Sequence, residues 1–288
     1  MDRIDGAPVI TSPALRYHGS KFRLAQWVMQ FFPPHVSYTE TFGGGAGVLL
    51  QKPRSYAEIY NDLDGEIVNF FRVLRDPDLR AQLVEAITLT PYARAEFDLS
   101  WVRSDDPVEQ ARRTAVRAFM GFGSGGATKS TTGFRIDTKR LNSTAQHVWA
   151  RYPQSIEIAG QRLRGVLIEN RPAIDVLLQH DGPDVLHFVD PPYLLGTRQL
   201  RGSSGCYRHE LSDADHAELL QVLQVLQGFV VLSGYPSPLY DDALQGWTRH
   251  TTTSRASAHR GTAARTECVW LNPRCAAALA GMSGGLFA

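Results

Sequence analysis

Four consecutive residues, Asp190-Pro191-Pro192-Tyr193, set a carboxylate, two rigid rings and a phenol directly behind an apolar run that ends at Val189. Proline cannot extend the ladder of a central strand and restricts the residue before it. The chain must therefore leave a sheet here, with Asp190 and Tyr193 held at set angles beyond the strand end. Open α/β sheets bind ligands at that end. The chemistry such a group suits is modification of the exocyclic amine of a nucleobase, a poor nucleophile because its lone pair is delocalised into the ring. The Asp190 carboxylate and the Pro191 carbonyl are two acceptors that could take both amine hydrogens, draw the nitrogen toward tetrahedral geometry and aim its lone pair at a methyl donor. The Tyr193 ring could stack on the base. A target inside a duplex must first be extruded, at a cost of a few kcal/mol. The competing reading is a plain Asp-Pro-Pro turn, which gives no reason for an aromatic ring straight after a buried strand.

A second constellation lies upstream. Gly43-Gly44-Gly45 follows an alternating stretch, Val36 to Phe42, and glycines at such a turn let backbone approach a ligand closely. Position 48 is Val and no Gly-Lys-Ser/Thr follows, so neither the dinucleotide fingerprint nor the nucleoside-triphosphate loop is matched. A purely structural turn is the alternative. Asp62 ends the next strand-like run, Tyr56 to Tyr60, roughly twenty residues past the glycines, where an acid can bind both hydroxyls of a ribose. Its competing role is as a helix N-cap. A ribose without phosphates points to a nucleoside such as S-adenosylmethionine.

The elements that must position these groups alternate. A helix is expected over about 21–32, with Leu24, Trp27, Val28 and Phe31 on one face and Pro33-Pro34 as its stop. Strands follow at about 36–42 and 56–60, with a helix start at Val48-Leu49-Leu50 between them whose free amides would face a ligand. Ile67, Phe70, Phe71 and Leu74 have the spacing of a buried helical stripe. Strand, helix and strand return at 165–170, 173–179 and 185–189. A helix capped by Ser212-Asp213-Ala214-Asp215, a strand at 229–233 and an antiparallel pair near 247–254 and 266–271 complete the alternation. From Pro77 to about Phe122 the pattern is helical, with Pro91 and Pro107 as helix starts, followed by a Gly/Ser/Thr-rich loop up to Gly133. The resulting division is a leader (1–15), a catalytic domain in two pieces (16–76 and 165–274), an insert (77–164) and a loosely held tail (275–288).

Bulk properties set limits. The 288 residues, 43% hydrophobic, can bury a substantial core. Net charge is +1, so any nucleic-acid contact must come from charge distribution, and the stretch from Arg112 to Arg151 carries Arg112, Arg113, Arg117, Lys129, Arg135, Lys139, Arg140 and Arg151 against the single acid Asp137. Such a run is either a solvated face or a phosphate-contacting one. Cys206, Cys268 and Cys275 form no CxxC pair, which argues against a zinc site and a disulfide framework. A reducing, cytoplasmic setting is the default. Residues 1–12 have neither a signal peptide's apolar segment nor a membrane span.

Taken together, these residues resemble the Dam-like DNA adenine methyltransferases over roughly 15–273. Arg16-Tyr17-His18-Gly19-Ser20-Lys21 is similar to that family's N-terminal cofactor motif, whose Tyr and Lys lie beside the methionine moiety. Glu40-Thr41-Phe42-Gly43-Gly44-Gly45 is similar to its glycine loop, with Thr41 in place of the usual Pro. Asn61-Asp62 is similar to its ribose-binding acid, and Asp190-Pro191-Pro192-Tyr193 to its catalytic tetrad. Glu169 stands where the family places an acid near the cofactor adenine, with Asn170 as a rival. Leu232-Ser233-Gly234-Tyr235 and the stretch from Arg265-Thr266-Glu267 to Asn272-Pro273 are also family-like, without a defined role. The resemblance implies a Rossmann-like, seven-stranded methyltransferase sheet with helices on both faces and a mainly helical target-recognition insert. It further implies S-adenosylmethionine as donor, S-adenosylhomocysteine as product, no metal, and double-stranded DNA as partner in a bacterial or phage-encoded setting.

Within the insert, Lys129, Phe134, Arg135, Lys139 and Arg140 are the expected DNA contacts. The Asn-Val-Pro segment associated with readers of GATC is missing, so that specificity is not implied. Cytosine's amine, RNA and a protein glutamine amide remain alternative acceptors, and a catalytically silent DNA-binding homologue is the alternative of another class. Monomer and dimer stay open, as does a companion restriction enzyme.

Overall fold

The computed structural model describes residues 10–128, 132–136, 144–198, 206–258 and 261–284, with side chains for all of these but 254–265 and 283–284. Seven strands form one sheet: β1 (Ser37–Glu40), β2 (Ala57–Asn61), β3 (Leu167–Glu169), β4 (Val185–Val189), β5 (Phe229–Gly234), β6 (Thr248–Ala258) and β7 (Gly261–Leu271). Their order is β3-β2-β1-β4-β5-β7-β6, parallel except for β7, which runs antiparallel to both its neighbours. Succession runs outward from β1 in one direction through β2 and β3, then restarts from β1 in the other through β4 and β5. The switch point is thus the β1–β4 seam, the place where a sheet of this kind opens a crevice. This is the Rossmann-like methyltransferase sheet that the sequence led us to expect.

Alternation along the strands sends side chains into two layers. Leu186 and Phe188 of β4, Val231 of β5, and Val269 and Leu271 of β7 join one apolar cluster, while Val189, Val230, Leu232, Cys268 and Trp270 join a second. The second is closed by Leu177 of α7 (Ala173–Gln179), by Leu219, Leu220 and Leu223 of α8 (Asp213–Val225), and by Tyr240 of α9 (Pro238–Ala243). The first receives Val28 of α1 (Ala25–Met29) and the stripe of α2 (Gly65–Arg75), with Ile67, Phe70, Phe71 and Leu74 all buried.

Helices α3 (Pro77–Leu89), α4 (Arg94–Leu99), α5 (Pro107–Met120) and α6 (Ala145–Leu163) account for the region expected to be a helical insert. Asp76 and Asp106 cap α3 and α5 through their side chains, each followed by a proline at the first helical position. These helices are not walled off from the sheet. Ala111, Ala115, Val116 and Phe119 of α5 share one cluster with Tyr38 and Tyr60.

Several local expectations are corrected. The 21–32 helix is a single 3-10 turn, Lys21–Arg23, followed by the short α1, whose end tightens into i→i−3 bonds such as Phe31 N to Val28 O before the two prolines. Residues 45–51 are turns rather than a regular helix, although Leu50 N and Lys52 N still bond back to Ala46 O and Val48 O. As far as Gly284 the tail is helical: α10 (Pro273–Gly284) starts where Asn272 Oδ1 accepts from Cys275 N, and it buries Cys275 against the core. The small alanines that made this stretch look featureless let it lie close. Among the described residues no helix is long and apolar enough to cross a membrane.

Candidate active site

Register brings the three chemical groups together. Glu40 of β1 pairs with Tyr60 of β2 on one side and with Phe188 of β4 on the other. Phe42, Asp62 and Asp190 each stand two residues beyond that row, on strands about 4.8 Å apart. All three line one cleft of about 1100 Å³ at the switch point, together with Tyr17, Lys21, Glu40, Gly43, Gly44, Gly45, Pro191, Pro192 and Tyr193.

The glycine loop is shaped by two tyrosines. A Cβ on Gly43 would lie 2.2 Å from the Tyr60 ring, and one on Gly44, whose φ is +45°, would lie 2.7 Å from the Tyr17 ring. Tyr60 also donates its hydroxyl to Gly44 O at 2.8 Å. Asp62 ties the loop to β2: its Oδ2 accepts from Gly44 N and its Oδ1 from Asp64 N, both at 2.8 Å. The N-cap of α2 is Asp64, which accepts from Glu66 N, so Asp62 is not spent on that role. Burial pushes the Asp62 carboxyl up to about 6, against the pull of its two backbone donors. Glu40 lies beneath the loop and accepts from Tyr38 OH and Leu49 N at 2.8 Å each. Burial raises it to about 7.

Asp190 sits against Lys21. Nζ is 3.0 Å from Oδ2 as an aligned hydrogen bond and 2.9 Å from Oδ1 as a charge contact, and Oδ1 has no hydrogen-bond partner. Burial raises the Asp190 carboxyl and the Lys21 charge opposes this. Lys21 also donates to Gly19 O at 3.1 Å and lies 4.7 Å above the Tyr193 ring. The Tyr193 hydroxyl donates to Glu267 Oε2 at 2.9 Å and meets Ser233 Oγ at 3.0 Å, while Tyr235 packs edge-on at 4.4 Å. These contacts give Ser233, Tyr235 and Glu267 the role that the sequence left undefined: they fix the Tyr193 ring from behind.

Sequence reasoning missed the segment after the tetrad. Tyr207 and Arg208 line the cleft. The Tyr207 hydroxyl donates to His18 O at 3.3 Å, and Arg208 bridges Asp64 at 3.0 Å and Glu66 at 2.8 Å. A tyrosine and an arginine in a polar loop carry no local signal of such a long-range bridge.

Other expected residues fall elsewhere. Glu169, paired with Asn61, does not line the cleft; Arg171, Pro172, Ala173 and Ile174 do, and the Asn170 side chain donates to the Asp62 and Leu63 carbonyls. Phe134 is part-buried and packs against Tyr92 and Phe97 with Arg94 over its ring. Arg135 is part-buried, and its carbonyl accepts from Tyr92 OH. Lys129, Lys139 and Arg140 lie outside the described residues. Three arginines of the basic run are internal: Arg112 pairs with Glu96 and Glu109, Arg113 with Glu109, and Arg117 with Glu66. That part of the run is neither a solvated nor a phosphate-contacting face. Among the described residues no group of three or more His, Cys, Asp or Glu is placed to hold a metal.

No curated protein matches the chain. A solved structure, a precorrin-8w decarboxylase of Methanobacterium thermoautotrophicum, is similar at 9% identity and a TM-score of 0.33 over 86% of this chain and 88% of that one, too slight a likeness to bear on function. A family model for D12 class N6 adenine-specific DNA methyltransferases matches residues 17–257, a span that takes in the glycine loop, Asp62, the insert and the tetrad, and the chain belongs to that family.

Proposed function

We propose that the protein transfers a methyl group from S-adenosylmethionine to N6 of an adenine rotated out of double-stranded DNA. The observation that carries the reading is the shared row of strand ends, which sets Asp62 and Asp190 on either side of the switch point in one cleft. The cleft's volume lies above the usual range of about 300–1000 Å³ for one small ligand, as a site for a donor and a base requires.

The residues present fit a nucleoside donor. Asp62 offers a fixed carboxylate for ribose hydroxyls, Gly43 to Gly45 offer backbone without side chains, and Tyr17 and Phe42 add apolar surface. Ser20 Oγ and Thr41 Oγ1 are buried in the lining without a hydrogen-bond partner, so the cleft has polar capacity to spare. The donor supplies an electrophilic methyl on a positively charged sulfur.

The chain's own work is on the amine. Asp190 Oδ1 and the Pro191 carbonyl accept the two N6 hydrogens, which frees the nitrogen lone pair for in-line attack as the N–C bond forms and the S–C bond breaks. The positive charge that develops on N6 is met by the Asp190 carboxylate, and an amine proton then leaves. Tyr193, pinned through its hydroxyl, bounds the base pocket. Reading of the DNA sequence falls to the 77–164 region, where Lys129, Arg135, Lys139 and Arg140 remain the proposed contacts.

The test is Asp190→Ala assayed by mass spectrometry of nucleosides from treated mixed-sequence duplex DNA. N6-methyl-2′-deoxyadenosine should appear with the wild type and fall on the order of a hundredfold or more with the variant, while DNA binding persists. Methylated cytosine in place of adenine, or an Asp190→Ala enzyme with an unchanged rate, would overturn the reading.

A further inference from the structure

We infer that Lys21 is a positioning residue for methyl transfer, one that grips Asp190 Oδ2 so that the carboxylate stays ionised and presents Oδ1 to the adenine amine. The inference rests on the methylation reading above and goes beyond it, because an N-terminal lysine in this place would otherwise be taken as a contact to the donor's methionine part.

The ammonium sits near both oxygens, but its aligned hydrogen bond falls on one of them. Lys21 is 7% exposed, and its Nζ donates along aligned hydrogen bonds to Gly19 O and Asp190 Oδ2. The Gly19 carbonyl therefore acts as a second anchor that fixes where the ammonium sits. Oδ1 is close enough to feel the charge at 2.9 Å, yet it has no hydrogen bond of its own although it is buried. A buried carboxylate oxygen left unfilled is costly unless something fills it during function. An amine hydrogen has the right chemistry, and it can arrive without displacing Lys21.

The charge has to come from this lysine. Glu267 on β7 opposes the ionisation of Asp190, whose own charge in turn holds its neighbours Glu40, Tyr193, Tyr207 and Tyr240 in their neutral forms. Tyr235 lies on the Lys21 side. Burial acts in the same direction as Glu267; Lys21 is the positive charge set against them, and a hydrogen bond from Ser233 adds a smaller pull the same way. A neutral carboxylic acid would present a proton to the amine where an acceptor is needed, and methyl transfer would stall. Lys21 in turn keeps its proton: burial favours the neutral amine, but Asp190 and Glu267 outweigh it and leave the ammonium more basic than usual.

The experiment compares wild type, Lys21→Met, Lys21→Gln and Lys21→Arg, with S-adenosylmethionine and mixed-sequence duplex DNA, as rate against pH. For the Met and Gln variants the acid limb should move up by one unit or more, which is a loss of about tenfold per unit on the acid side of the wild-type limb that recovers as pH rises. The Arg variant should keep the wild-type limb, since its guanidinium can replace the charge. A second readout needs no turnover: infrared titration of the protonated carboxyl band, taken as Lys21→Met minus Lys21→Met/Asp190→Asn, should show the band persisting to higher pH than in wild type minus Asp190→Asn. An acid limb and a carboxyl band both at their wild-type positions in the Met and Gln variants, whatever the absolute rate, would overturn the inference. A wild type that methylates no adenine would instead overturn the methylation reading, and the infrared titration would still decide whether Lys21 holds Asp190 ionised.

Discussion

Replacing Gly43 by alanine tests the glycine loop in a way that separates its packing from its ligand role. The substitution adds one methyl at a residue whose φ is outside the left-handed region, so backbone strain is not the issue. The added Cβ would lie 2.2, 2.6 and 2.7 Å from three atoms of the Tyr60 ring, whereas ordinary contact begins near 3.4 Å. Either the ring retreats by about 1 Å or the loop does. The ring is fully buried and packs 4.8 Å from Phe71, so its retreat overpacks the core at about 1–3 kcal/mol and breaks the bond to Gly44 O at about 1 kcal/mol more. Retreat of the loop instead breaks Gly43 N to Asn61 O at 2.7 Å and Gly44 N to Asp62 at 2.8 Å. Urea unfolding should thus show a loss of roughly 2–4 kcal/mol. Calorimetry should show S-adenosylmethionine binding weakened tenfold or more, because Asp62 and the loop are no longer held together. Two controls sharpen the result. Tyr60→Phe removes only the hydroxyl and should cost about 1 kcal/mol with donor affinity kept. Gly165→Ala makes the same chemical change at a φ of +84° with nothing within 4 Å, and should cost about 1–2 kcal/mol through strain alone, again with donor affinity kept. A Gly43→Ala protein as stable as wild type and with unchanged donor affinity would refute the argument that Tyr60 and Asp62 shape the loop.

Two further outcomes follow from the buried charges. Glu40 has its folded carboxyl raised from 4.5 to about 7 by burial, so the native state holds its proton more tightly than the unfolded chain does; that contribution is present at low pH and is lost as pH rises through about 7, on the order of 3 kcal/mol. Glu40→Gln should flatten this stretch of the stability profile, read as urea midpoints measured across it, and an unaltered slope would contradict the assignment. Arg117, 3% exposed and paired with Glu66, should behave as a structural cation. Arg117→Met should lower stability by about 1.5–3 kcal/mol, since it removes a buried charged hydrogen bond while Arg208 still pairs with Glu66. The slope of log affinity for DNA against log salt should stay as in wild type, whereas loss of a phosphate contact would reduce it by about one.

What the sequence disclosed of the site was whatever is contiguous. Asp190 to Tyr193 announce themselves because the prolines, the acid and the ring are adjacent, and Asp62 does because a ribose-binding acid ends a strand at a set distance from the glycines. The expected strands also hold, as does the antiparallel pairing of the last two, since apolar runs bounded by turns leave few topologies open. Contacts that join distant segments stayed hidden. Tyr193 and Glu267 are 74 residues apart, and Arg208 and Glu66 are 142 apart, so neither pairing leaves a periodic trace. The misreading of the basic run is instructive because part of the answer was local. Glu109 stands three residues before Arg112 and four before Arg113, the spacing at which helix side chains meet, but it lies just outside the stretch whose charges were counted. Glu96 and Glu66 then complete the neutralisation from other helices. Counting charge along the chain measures composition, whereas a phosphate responds to charge left over after folding. For this protein that distinction takes three arginines out of the free basic charge and into the scaffold, and it makes Glu66 a junction between α5, which presents Arg117, and the segment after the tetrad, which presents Arg208. The helices expected to read DNA and the loop that borders the cleft are therefore braced against the same carboxylate, one turn from the acid proposed to hold the donor's ribose.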